Sequence, residues 1–258
     1  MAESVSPAVI PAGIADAGGG TGGAARGTAG GAAGRAVGGP AGAAAGAVSD
    51  AVPAGPVWWA EATDALCRAD PVLARVIEPW RRERLVSRGD PFLTLARSIV
   101  GQQISVRAAQ TIWDRFVKAA RTPTPARVAG MRIATLTGCG LSVRKAEYLK
   151  DLAVHFREGT ITPAAWISLD DEAVIAQLVA VRGIGRWTAE MFLIFNLMRP
   201  DVFPLDDIGL LNAMAKHFNG GGRLDRRAAM ERSEAWAPWR TAACWYLWRS
   251  LDPLPVEY

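Results

Sequence analysis

Two adjacent carboxylates, Asp206 and Asp207, end the short connection RPDVFPLDD and precede the apolar run IGLLNAMA. Pro200 and Pro204 stop the preceding helix and stiffen the connection. The pair therefore stands at the start of the next helix. Asp206 reads as its N-cap and Asp207 as a first-turn residue, where the helix dipole also favours a carboxylate. Capping alone accounts for both types. A carboxylate so placed can also oppose positive charge developing on a reacting carbon.

One helix and a return loop upstream lies LVAVRGIGRWTAEM, residues 178–191. Gly183 and Gly185 flank a single apolar residue, Ile184. Two glycines allow a tight hairpin with Ile184 plugged between two helices. The second helix then aims its unpaired N–H groups at the hairpin tip, where its dipole is positive. An anion suits that place, and a DNA phosphate is a natural one. Arg186 would add charge beside it. Such contacts fix position and carry no sequence information. An ordinary αα-hairpin with a glycine turn has the same local pattern.

The bulk composition is compatible with a polyanion partner. The chain has 258 residues and a formal net charge of +4. Cys67, Cys139 and Cys244 are far apart, and His155 and His217 are the two histidines. Neither a zinc site nor an iron–sulfur cluster has its usual spacing. An odd cysteine count without a secretion signal fits a reducing cytosol, so a cytoplasmic protein is expected. No apolar run has the length and pattern of a membrane helix.

The elements that must position these groups are helical. Residues 1–56 are nearly all Ala, Gly, Val and Pro. They bury too little to offset chain entropy and read as a disordered tail. Residues 57–258 read as one folded domain. Asp70-Pro71 opens a helix, and Pro91 opens another that runs through FLTLARSIVGQQIS. Ser105 caps a helix to about 120. Short helices recur over 125–130, 132–137, 142–157, 163–167, 171–180, 187–198, 206–218, 226–233 and 238–250, with no period-2 strand. The expected fold is all-α.

At Leu178–Leu210 the chain resembles the helix-hairpin-helix DNA glycosylase superfamily, and within it the 3-methyladenine DNA glycosylase II branch. Further motifs match in order: Ile99–Ser105 (IVGQQIS), Leu141–Ala146 (LSVRKA) and Trp236–Trp248 (WAPWRTAACWYLW). The resemblance spans about residues 60–252. It implies a compact fold of two helical subdomains around a DNA-binding cleft, without the extra β-rich domain of some members. It makes Asp207 the catalytic carboxylate. It places Gly183, Ile184, Gly185, Arg186 and Thr188 on the DNA backbone. Gln103, with Gln102 beside it, becomes the wedge that fills the gap left by a flipped base. Two exposed polar residues at a helix–loop junction would look the same.

Alkylation at N3 or N7 makes a purine cationic, and aromatic faces attract such a ring by about 0.5–2 kcal/mol per contact. Of the ten tryptophans, the motif match nominates Trp187 and Trp248 for the base pocket; core packing is the competing reading. Trp187 also stands where strand-cleaving members carry lysine, so no amine is there to form a Schiff base. The resemblance thus implies a monofunctional enzyme that releases 3-methyladenine or 7-methylguanine from duplex DNA and leaves an abasic site. No cofactor is required. It further implies a monomer, and a sodium or potassium ion on the carbonyls of Val179, Val181 and Ile184 when DNA is bound. Other lesions (hypoxanthine, uracil, an oxidised base) and a non-catalytic DNA-binding module remain alternatives; Asp207 speaks against the last.

Overall fold

The computed structural model describes residues 55–251. The expected disordered tail falls outside the described residues save for its last two positions. Twelve α-helices and three short 3-10 turns make up the described chain, and no strand occurs in it. The helices are α1 Trp59–Ala69, α2 Pro71–Ile77, α3 Pro91–Gly101, α4 Val106–Ala120, α5 Pro125–Ala129, α6 Ile133–Gly138 and α7 Val143–Glu158. They continue as α8 Asp171–Val179, α9 Arg186–Phe195, α10 Ile208–Phe218, α11 Arg226–Ser233 and α12 Arg240–Arg249. The all-α expectation holds.

Local chemistry explains most helix starts. Asp70, Asp90, Ser105, Thr124, Ser142, Asp170 and Asp207 each accept a first-turn backbone N–H. Each satisfies a donor the helix itself cannot. Pro71, Pro91 and Pro125 occupy first helical positions, where their missing N–H costs nothing. Helix α3 stops at Gly101, the first residue of the GQQIS run that the sequence pattern places wholly within it. Gln103 takes a left-handed φ of +59°, which no helix continues through.

Helix packing falls into two sets. Helices α3 to α9 pack with one another through α3·α7, α3·α4, α5·α7, α6·α7, α8·α9 and α3·α9. Helices α1, α2, α10, α11 and α12 form the second set. One continuous hydrophobic core joins them, from Leu66 and Leu73 to Leu149, Phe192 and Leu247. The Phe195–Trp248 stack crosses between the sets, and the Asp201–Arg240 ion pair ties the connection between α9 and α10 to α12. The starts of α9 and α10 and one side of α12 meet at this junction.

Candidate active site and DNA-binding surface

Asp207 is the N-cap of α10, with φ −76° and ψ 113°. This corrects the sequence-based assignment of the cap to Asp206. Both types suit a cap, and the register alone decides. Asp206 is exposed and pairs with Arg226 at 2.9 Å. Asp207 is 5% exposed. Its Oδ1 accepts the Leu210 N–H at 2.6 Å and the Trp248 indole N–H at 2.9 Å. Its Oδ2 accepts the Trp187 indole N–H at 2.8 Å. A carboxylate oxygen offers two lone-pair sites, so Oδ1 is filled and Oδ2 keeps one acceptor direction. Gly209 packs closely on the other oxygen: a Cβ on it would sit 3.2 Å from Asp207 Oδ1 and 3.7 Å from the Trp248 indole nitrogen that donates to it.

The two nominated tryptophans both meet Asp207, edge first. Trp248 is buried, with one face stacked on Phe195 at 5.8 Å and 25°. What it presents to the carboxylate is its N–H. Trp187 is half-buried in the first turn of α9. Three elements far apart in sequence therefore orient one carboxylate.

The hairpin is built as the glycine pattern requires. Ile184 is buried at 4% exposure, and its N–H closes the turn onto the Val181 carbonyl at 3.1 Å. Gly183 has φ +89°, and a Cβ there would lie 2.1 Å from Cδ2 of Tyr148. The Tyr148 ring therefore demands glycine independently of the dihedral. Gly185 caps α9 with no side-chain acceptor, which leaves that helix start to outside anions. Thr188 is buried in the same turn. Asp151 ties the hairpin down by accepting the Arg182 backbone N–H at 2.9 Å.

Arg186 has two carboxylate partners that the sequence reading did not foresee. It forms a two-pronged pair with Glu172 at the start of α8, and its Nε donates to Glu190 at 3.0 Å. The Glu172 carboxylate holds the guanidinium above its usual range, and Arg186 in turn holds Glu172 low. Burial pushes the Glu190 carboxyl up. The Arg186 charge is thus engaged within the protein. The Glu172 side chain is 70% exposed and the Glu190 one 9%, so Glu172 is the partner more open to competition from solvent.

The loop after α3 touches the hairpin. Gln102 Nε2 donates to the Gly183 carbonyl at 2.8 Å, while Gln103 is exposed. Tyr148, Gly209, Glu172 and Glu190 were missed from sequence. Two left a local trace: Gly209, a glycine directly after a helix start, and Glu190, four residues after Arg186 on the same helix. Tyr148 and Glu172 act through contacts outside their own helices.

Helix α8, the Gly183–Gly185 turn with Ile184 buried in it, and helix α9 form a helix-hairpin-helix motif, and the propped carboxylate lies beside it. The chain belongs to the HhH-GPD superfamily of base excision DNA repair proteins, whose profile matches residues 96–238, and it is a DNA glycosylase. It is 35% identical over 182 residues to the Schizosaccharomyces pombe protein named DNA-3-methyladenine glycosylase 1, covering 69% of this chain and 80% of that one. Its fold is similar to that of the Bacillus halodurans DNA-3-methyladenine glycosidase, with TM-score 0.69 and 31% identity over 74% of this chain and 89% of that one. It is also similar to the Schizosaccharomyces pombe Mag1 glycosylase in complex with abasic DNA. There the TM-score is 0.66 and the identity 32%, over 77% of this chain and 99% of that one.

Proposed function

We propose that this protein hydrolyses the N-glycosidic bond of alkylated purines in double-stranded DNA, 3-methyladenine and 7-methylguanine among them, and leaves an intact abasic site. The observation that carries the reading is the Asp207 carboxylate, fixed by Trp187, Trp248 and the α10 N-terminus with one Oδ2 direction spare. The names of the similar proteins support the alkylpurine substrate.

The chemistry follows from that placement. Alkylation leaves a positive charge on the purine, so it departs readily. The C1′–N bond breaks, its electron pair leaves on the base, and the base departs neutral. Asp207 opposes the positive charge that C1′ acquires. Water then adds to C1′ and gives a proton to the carboxylate. Trp187 carries no nucleophilic amine, so the sugar forms no Schiff base and the strand stays whole. Half-buried Trp187 offers a ring surface to a cationic base, and Gln103 fills the gap in the duplex.

Gly183 to Thr188 hold the phosphate backbone, with Arg186 released from Glu172 to do so. A sodium or potassium ion would be held by the carbonyls of Val179, Val181 and Ile184. That all-carbonyl, uncharged donor set suits a hard monovalent cation, and the Val181 oxygen keeps one lone pair after accepting Ile184. Such an ion supplies charge opposite a phosphate. The reading carries a monomer acting on chromosomal DNA in the cytoplasm. Among the described residues no helix is long and apolar enough to cross a membrane.

The test is base release from methylated duplex DNA by the wild type and by Asp207→Asn. Release of 3-methyladenine or 7-methylguanine is expected, with the strand uncut until heated in alkali. Asp207→Asn should bind the DNA and lose about 10²–10³ in rate. Binding without release of either base would overturn the substrate and bring other lesions, or a binding role alone, to the front.

A further inference from the structure

Lys145 is placed against the local rules of helix formation. It is the third residue of α7, where the dipole is positive and a cation is disfavoured. Its ammonium does not extend into solvent. It turns back to α3 and donates to the Val100 carbonyl at 2.8 Å and the Gln102 carbonyl at 2.6 Å. These oxygens lie at the end of α3, the negative end of that helix, where they lack helical partners. Burial pushes the ammonium below its usual range. Lys150, further along α7, caps α5 in the same way through the Ala129 and Met131 carbonyls, each at 2.6 Å. Neither lysine is spent on solvent.

Gln102 is gripped at both ends. Its main-chain oxygen is held by Lys145, and its side chain donates to the Gly183 carbonyl in the hairpin. Gln103 follows at φ +59°. A non-glycine residue stays in that region only when its surroundings determine it. The side chain of Gln103 makes no hydrogen bond to the described residues and faces solvent.

We infer that Lys145 is a positioning residue for base flipping: its ammonium clamps the end of α3 so that Gln103 is presented to the duplex, and through Gln102 it ties that wedge to the hairpin on the phosphate backbone. The inference rests on the reading of Gln103 as the wedge. Lys145 is then no phosphate ligand, although it is a cation beside the DNA-facing loop.

The experiment compares wild type, Lys145→Met and Gln102→Met as full chains. The duplexes carry 7-methylguanine either paired with cytosine or opposite a tetrahydrofuran abasic analogue, with 2-aminopurine next to the lesion. Lys145→Met should slow single-turnover release from the paired duplex about 10- to 100-fold, the scale of a misplaced reacting group. Flipping is easier where nothing opposes the lesion, so the loss there should shrink to about threefold or less. The 2-aminopurine signal of unstacking should fall in parallel, and the salt dependence of binding should stay that of the wild type. Gln102→Met removes only the tie and should show the same context dependence, which covers the case in which Lys145→Met fails to fold. Equal losses in both contexts would overturn the inference. So would a salt slope lower by about one, the mark of a lost phosphate contact. If the wild type releases no base, the proposed substrate fails. The 2-aminopurine signal on binding still decides the wedge, and an unchanged signal in both variants overturns it.

Discussion

The Trp187 indole N–H donates to Oδ2 of Asp207 at 2.8 Å, from the first turn of one helix to the N-cap of the next. Oδ2 is the oxygen with an acceptor direction to spare, so this bond orients the lone pair left for C1′ or water. Trp187→Phe keeps an aromatic ring and removes the donor. A hydrogen bond to a charged group is worth about 1.5–3 kcal/mol, so single-turnover release should fall roughly 10- to 100-fold. Affinity for undamaged DNA should be unchanged. An unchanged rate would show that the α10 N-terminus and Trp248 suffice to aim the carboxylate.

How much of this was legible in the sequence depends on the range of each interaction. The caps at Asp70 and Ser105 and the glycine hairpin are local, and type and spacing announce them. Resemblance marks Asp207 as a site residue, yet the local rules assign the cap to its neighbour. Two adjacent aspartates satisfy the same local rule, and the Pro204 carbonyl that accepts the Asp207 N–H sets the register. The tryptophans were nominated by motif for stacking on a base. The structure adds that their N–H edges serve the carboxylate, a relation no periodicity encodes. Glu172 on Arg186, Tyr148 on Gly183 and Lys145 on α3 are tertiary pairings without a local signature.

Gly183 is doubly constrained. Its φ of +89° disfavours any side chain, and the Tyr148 ring occupies the Cβ position. Gly183→Ala should cost at least about 2 kcal/mol of stability, since a left-handed non-glycine residue alone costs about 1–3 kcal/mol. DNA affinity should fall with it because the hairpin tip shifts. Adding Tyr148→Ala should recover the steric part and leave the dihedral part. A coupling of about 0.5–3 kcal/mol in a denaturant double-mutant cycle is expected. Strict additivity would mean that the ring moves aside at no cost.

Asp70 offers a stability test far from the chemistry. It is 4% exposed and caps α2 through the Val72 and Leu73 N–H groups at 2.9 and 3.1 Å. It also accepts the buried Trp236 indole N–H at 3.1 Å. Asp70→Ala removes the cap, about 0.5–2 kcal/mol, and strands a buried donor, about 1–3 kcal/mol. Melting should drop by about 5–15 °C for a domain of this size. Release of base at low temperature should be retained. A loss of rate without a loss of stability would contradict this purely structural role.

Arg186 and Glu172 test how the hairpin meets DNA. Arg186 is paired in the free protein, so a phosphate must compete with Glu172, the exposed partner, while buried Glu190 stays. Each phosphate contact adds about 0.9 to the slope of log affinity against log salt. Arg186→Gln should therefore weaken binding to all sequences alike and lower that slope by about one. Glu172→Gln removes the competitor, so it should tighten binding and leave the slope at least as steep. A salt titration of the two variants on undamaged duplex separates the outcomes. If Arg186→Gln left the slope untouched, the arginine would belong to the α8–α9 clamp alone, and the backbone N–H groups of α9 would carry the phosphate by themselves.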